Sequence, residues 1–142
     1  MNFVRVGTGV IILNNNNEVL LGHRSLNKPD TGGLIGRDTW SLPGGKQEYD
    51  ETVTNCIIRE TKEECDLDIK NPKILNAFDD FGPDRHFLTV LFVTNEYEGT
   101  PKVMEINKED EWKWFDINNL PDNLYEPSKH CLDYYINEYL NK

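Results

Sequence analysis

The chain has 142 residues, 37% hydrophobic and 11% aromatic, the size and make-up of one domain with a buried core. A formal net charge of −10 argues against a module that binds nucleic-acid backbones, which needs clustered lysine and arginine. No apolar run approaches the ~20 residues of a membrane-spanning helix, and the start Met1-Asn2-Phe3-Val4-Arg5 lacks the build of a signal peptide.

Residues 3–13 are β-branched and apolar, with glycines at 7 and 9, and read as a strand approached closely by another backbone. The asparagine run at 14–17 is a turn, and residues 18–24 return as a second strand, so the two predict a hairpin. Residues 25–39 hold glycine, proline and polar side chains and predict a long loop, a length usually kept for function. His23, Arg24, Lys28 and Arg37 are the cations near enough to meet an anionic ligand there, Arg24 and Arg37 foremost. Residues 40–42 form a short strand delivering the chain to a turn at Gly44-Gly45.

A helix follows, begun by Asp50 or Glu51 as an acidic first turn, with Val53, Cys56, Ile57 and Thr61 as its buried stripe. Residues 73–81 and 86–97 are two more strands around a turn at Phe81-Gly82-Pro83-Asp84. Phe78, Phe81 and Phe87 fit a core better than a base-stacking platform, and His86 reads as a hydrogen-bonded structural histidine. After a polar stretch to residue 111, residues 112–115 are a short strand. Pro127 opens a last helix, with Leu132, Tyr135, Ile136, Tyr139 and Leu140 at core-facing spacing. Strands around a helix, more strands and a terminal helix predict an α+β fold with a mixed sheet. Cys56, Cys65 and Cys131 are odd in number, lack metal-finger spacing and have no base nearby. They predict reduced, buried thiols in a cytoplasmic protein.

The chemistry concentrates between Leu42 and Leu67. Glu60, Glu63 and Glu64 lie three and four residues apart and so share one side of the helix, where like charges repel unless a cation sits among them. Hard divalent ions take such oxygens together with substrate phosphates. A solvated acidic face is the competing account for any one Glu-Glu pair. The joint spacing with Pro43-Gly44-Gly45 argues for a metal site instead.

Gly45, Glu51, Arg59, Glu60, Glu63, Glu64 and Leu67 stand at the spacing of the Nudix hydrolase signature: Gly, five residues, Glu, seven residues, Arg-Glu-aliphatic-any-Glu-Glu-any-Gly-aliphatic. Thr61 replaces the aliphatic residue and can pack through its methyl group. Asp66 replaces the glycine and is among the residues that tolerate a left-handed helix end. The chain therefore resembles the Nudix family, and by weaker similarity its MutT-type branch of nucleoside triphosphate diphosphatases.

The resemblance implies an α/β/α sandwich over residues 1–142. It also implies Mg²⁺, with Mn²⁺ as a substitute, held by Glu60, Glu63, Glu64 and the Gly44 carbonyl. Arg59 would position Glu63, while Gly45 and Glu51 would brace the junction of loop and helix. Relatives often draw one more carboxylate from the stretch before the last strand, and Glu105, Glu109, Asp110 and Glu111 all qualify. The substrate implied is a small nucleoside diphosphate linked to another group, first a nucleoside triphosphate, ordinary or oxidised. ADP-sugars and dinucleotides use the same signature. A non-catalytic nucleotide-sensing module is the reading from another class, but such modules lose signature carboxylates and this chain retains all of them. Many relatives are dimers, so a homodimer stays open.

Overall fold

The structure, a computed structural model, describes residues 2–26 and 36–141; Lys28 and most of the expected loop at 25–39 lie outside them. Nine strands are described: β1 (Val4–Ile12), β2 (Glu18–Arg24), β3 (Thr39–Ser41), β4 (Gly44–Lys46), β5 (Asp68–Lys70), β6 (Lys73–Gly82), β7 (Arg85–Thr94), β8 (Glu96–Glu98) and β9 (Glu109–Asp116). The helices lying wholly within the described residues are α1 (Val53–Cys65) and α2 (Glu126–Tyr135), the latter continuing as a π-helical segment, Ile136–Leu140.

β1 and β2 carry the fold because each is apolar on both faces. Val10, Ile12 and Leu20 pack with Ile57 and Cys65 of α1, while Ile11, Val19 and Leu21 pack with Cys131 and Leu132 of α2. Successive strand side chains point to opposite faces, so uninterrupted apolar runs require a covering layer on each side. The result is the α/β/α sandwich expected, with a mixed sheet: order β4-β1-β7-β6, with β1 parallel to β7 and the other pairs antiparallel. A second sheet has the order β3-β2-β9, and β5 pairs with β8.

The expected β1–β2 hairpin does not form as such. Asn14 closes the turn, its N–H donating to the Glu18 carbonyl at 3.0 Å, and Leu13 bridges Val19, but the two strands then enter different sheets. Two doubly buried strands each find more apolar surface as the centre of a sheet than as one another's edge.

Gly44-Gly45 is a strand rather than a turn. It lies against β1 in the register Gly9↔Gly44 and Thr8↔Gly45, so closely that a side chain on Gly44 would strike the Thr8 carbonyl. The first helix also starts later than expected, at Val53. Thr52 caps it by accepting from the Asn55 N–H at 3.1 Å, and no acid lies in its first turn. Asp50 has φ +61°, a left-handed conformation incompatible with a helix start, and Glu51 is turned to Arg59.

The helix ends as its sequence implies: Asp66 adopts φ +62° and its N–H donates to the Lys62 carbonyl. Thr61 is fully buried, its hydroxyl returned to the Ile57 carbonyl at 2.7 Å. Phe81 and Tyr139 depart from their expected core places. Phe81 is exposed at the β6–β7 tip beside the His86 ring. Tyr139 emerges because the helix widens into a π-turn after Tyr135, rotating the later side chains.

Candidate metal and phosphate site

Arg59 organises the acidic side of α1. Its guanidinium donates to Glu51 (Nε to Oε2, 2.6 Å; Nη2 to Oε1, 2.9 Å), to Glu60 Oε1 at 2.9 Å and to Glu63 Oε2 at 3.0 Å. A planar, permanently charged fork suits this bidentate work. Its hydrogen bonds hold the Glu51 carboxyl down at about 2, and these pairings raise the guanidinium further. Glu60 moves the other way: burial and the neighbouring Glu64 charge raise it more than Arg59 lowers it. Glu60 also explains Gly45, where any side chain would land on the Glu60 carboxylate.

Glu64 points inward and is buried. Its Oε1 accepts from the Gly44 N–H at 2.7 Å and its Oε2 from Lys108 Nζ at 2.8 Å. Carboxylate oxygens of Glu64, Glu105 and Glu109 lie within 4.8 Å of one another. The late acids are thereby separated. Glu105 and Glu109 join Glu64, Asp110 pairs with His23 Nδ1 at 2.8 Å, and Glu111 is exposed. A β-bulge decides this. The β2–β9 register slips between His23 and Arg24, pairing Arg24 with Glu109 and His23 with Glu111, so Glu109 turns inward out of strict alternation. Glu63, half-exposed and tied to Arg59, and Glu60, one turn before Glu64, lie outside the trio.

Glu109 is 1% exposed, and neither of its side-chain oxygens has a hydrogen-bond partner among the described residues. Burial, then the Glu64 charge, push its carboxyl up to about 8, and burial likewise raises Glu64. Buried carboxylates without donors are costly unless a cation or a proton joins them. The donor set is all oxygen, which suits a hard ion such as Mg²⁺, Mn²⁺ or Ca²⁺ and not a thiophilic one. A cluster capable of coordinating a divalent metal is therefore present.

Gly44 and Lys108, the two residues that hydrogen-bond the Glu64 carboxylate, line a cleft of about 480 Å³, within the usual range for small-ligand sites; the trio itself is not among its lining residues. The cleft is lined by Gly7 and Gly9 of β1, by Gly44, Gly45 and Glu60, and by Phe87, Thr89 and Tyr125. Arg24 lines it, stacked 4.3 Å over the Tyr125 ring. Arg37 is exposed and is not among the lining residues, and both ring nitrogens of His23 are engaged, by Asp38 and Asp110. Of the three aromatics singled out in the sequence, Phe87 alone lines the cleft; Phe78 packs on Tyr134. Lys46, Arg85 and Lys108 also line it and were passed over in the sequence. Lys46 follows the glycine pair and Lys108 precedes Glu109, which is the signal available for them. The thiols are held protonated: Cys65 and Cys131, the latter lining the cleft, are pushed by burial up to about 12, and Cys56 is raised too. No helix among the described residues is long and apolar enough to cross a membrane.

The chain is similar to known proteins in sequence and in fold. An ADP-ribose pyrophosphatase of Methanocaldococcus jannaschii is 34% identical over 125 residues, 87% of this chain and 69% of that protein. An 8-oxo-dGTP diphosphatase of Proteus vulgaris is 33% identical over 95 residues, 67% of this chain and 79% of its own length. Among solved structures, a MutT NUDIX hydrolase from Burkholderia pseudomallei superposes with a TM-score of 0.82 at 25% identity, covering 93% of this chain and 98% of that one. The NUDIX domain profile matches residues 4–135, so the chain belongs to the Nudix family, as a hydrolase of phosphoanhydride bonds.

Proposed function

We propose that the protein is a Mg²⁺-dependent pyrophosphohydrolase of nucleoside diphosphates linked to another group, and that its main substrates are nucleoside triphosphates, cut to monophosphate and pyrophosphate. The observation that carries this is the trio Glu64, Glu105 and Glu109, joined through the hydrogen bonds of Glu64 to Gly44 and Lys108 of a cleft that Arg24 and Lys46 also line. Glu64 and Glu109 would hold the ion, with Glu60, Glu63 and the Gly44 carbonyl completing its oxygen supply. A divalent ion bound there neutralises phosphate charge and acidifies water. Arg24 binds phosphate against Tyr125, and Phe87 and Thr89 face the nucleoside. Glu105 or Glu63 orients the attacking water and accepts its proton, both being carboxylates next to Glu64, in space or in sequence, that are less buried than it.

The 34% identity to an ADP-ribose pyrophosphatase supports a second substrate, an ADP-sugar, at the same site. A panel of triphosphates and ADP-sugars, with the products separated, decides between them. Pyrophosphate release marks the first reading and paired monophosphates the second. Glu64→Gln should leave the fold intact and lower turnover by about two orders of magnitude or more. Full activity in that variant would remove the assignment.

A further inference from the structure

Lys108 is a mostly buried cation with no part in the reading above beyond lining the cleft. Its Nζ lies 2.8 Å from Glu64 Oε2 and 4.0 Å from Glu109 Oε2, and its side chain is 24% exposed. Its ammonium thus stands against the two most deeply buried carboxylates of the trio. The arrangement is incomplete. The ammonium hydrogen-bonds Glu64 only, and neither Glu109 oxygen receives a hydrogen bond among the described residues. A divalent ion brings twice the charge and can be touched by oxygens from all three residues, so it outcompetes the ammonium there.

Only the side chain has to move. The Lys108 N–H donates to the Glu105 carbonyl at 2.9 Å, and the Lys108 carbonyl accepts from the Ser25 N–H at 3.1 Å. The backbone is thereby pinned on both sides, so that exchange requires rotation about the bonds of the four-carbon stem alone. Because Lys108 already lines the cleft, an ammonium released from Glu64 remains among the groups that face the phosphates.

We propose that Lys108 is an exchangeable internal cation. It neutralises Glu64 while no metal is bound, yields to the divalent ion, and then pairs with substrate phosphate, so that metal and phosphate bind cooperatively. This rests on the metal-site reading given under Proposed function. Linkage makes the coupling reciprocal: phosphate bound by the lysine must tighten the metal by the same factor.

Two measurements test it, one on the unaltered protein. Brief acetic anhydride labelling with mass spectrometry reads each lysine's reactivity, and Lys129, which pairs with Asp133 on α2, serves as the reference. Saturating Ca²⁺ should raise Lys108 labelling several-fold relative to Lys129, and added pyrophosphate should suppress it again. Calorimetry then compares variants without nucleotide. Lys108→Met should bind Ca²⁺ at least tenfold more tightly than the parent, while its affinity for pyrophosphate in the presence of Ca²⁺ falls about tenfold. Lys108→Arg should stay near the parent in both. A merely structural salt bridge would instead weaken both affinities in Lys108→Met. Labelling that does not respond to Ca²⁺, or a Met variant that binds Ca²⁺ no better than the parent, overturns the proposal and leaves the metal site standing. A parent protein that binds no Ca²⁺ overturns both.

Discussion

Glu51 and Arg59, eight residues apart, meet through two hydrogen bonds of 2.6 and 2.9 Å and lock the loop before α1 to the middle of that helix. The same guanidinium holds Glu60 and Glu63, so one side chain sets the positions of three carboxylates. Lysine cannot reproduce a fork of this kind. Arg59→Lys should therefore keep the fold and lower kcat by on the order of 100-fold, the scale expected when reacting groups are misplaced by about 1 Å. Steady-state kinetics beside a thermal melt checks this. A variant with parental kcat would show that Arg59 positions nothing of consequence.

Glu51 also sets an acid limit to stability. Its carboxyl is held at about 2 in the folded protein against an ordinary value of 4.5. A carboxyl with a depressed native value contributes stability that is fully present above 4.5 and disappears as pH falls towards 2. Urea midpoints taken from pH 5 down to pH 2 should decline less steeply in Glu51→Gln than in the parent, with the variant lower at pH 5.

Glu109 works with the opposite sign. Its carboxyl is raised to about 8, so between pH 4.5 and 8 the metal-free folded protein holds a proton that the unfolded chain has lost. Metal-free stability should fall as pH rises through that window, and Ca²⁺ should restore it. Glu109→Gln removes the titrating group. With a chelator present, its midpoint should vary less with pH and exceed the parent's at pH 8, while Ca²⁺ should stabilise it less. A parental pH dependence in the variant would place the titration elsewhere.

The glycine pair separates stability from activity. A side chain at Gly44 would meet the Thr8 carbonyl of the adjoining strand, whereas one at Gly45 would meet the Glu60 carboxylate, the far end of a movable side chain. Gly44→Ala should cost roughly 2–4 kcal/mol by forcing β4 from β1. Gly45→Ala should cost less stability and much more turnover, because Glu60 yields its place. Denaturant titration and kinetics on the two variants show whether the losses divide in this way.

Local chemistry made much of this legible in the chain. Signature spacing brought Arg59 to Glu63 because residues four apart on a helix meet whatever surrounds them, and the left-handed end at Asp66 followed from its short polar side chain. The doubly apolar runs in β1 and β2 already demanded a layer on each face, which is most of an α/β/α sandwich. Their placement in separate sheets was not written there, since an apolar strand fits any partner that buries it. Nor could spacing choose Glu109 over Asp110. That choice belongs to a bulge opposite His23 and Arg24, contributed by a strand more than eighty residues earlier. Lys108 became visible for the same reason. Its meaning lies in its distance to Glu64, and a distance across 44 positions of chain exists only once the backbone has closed.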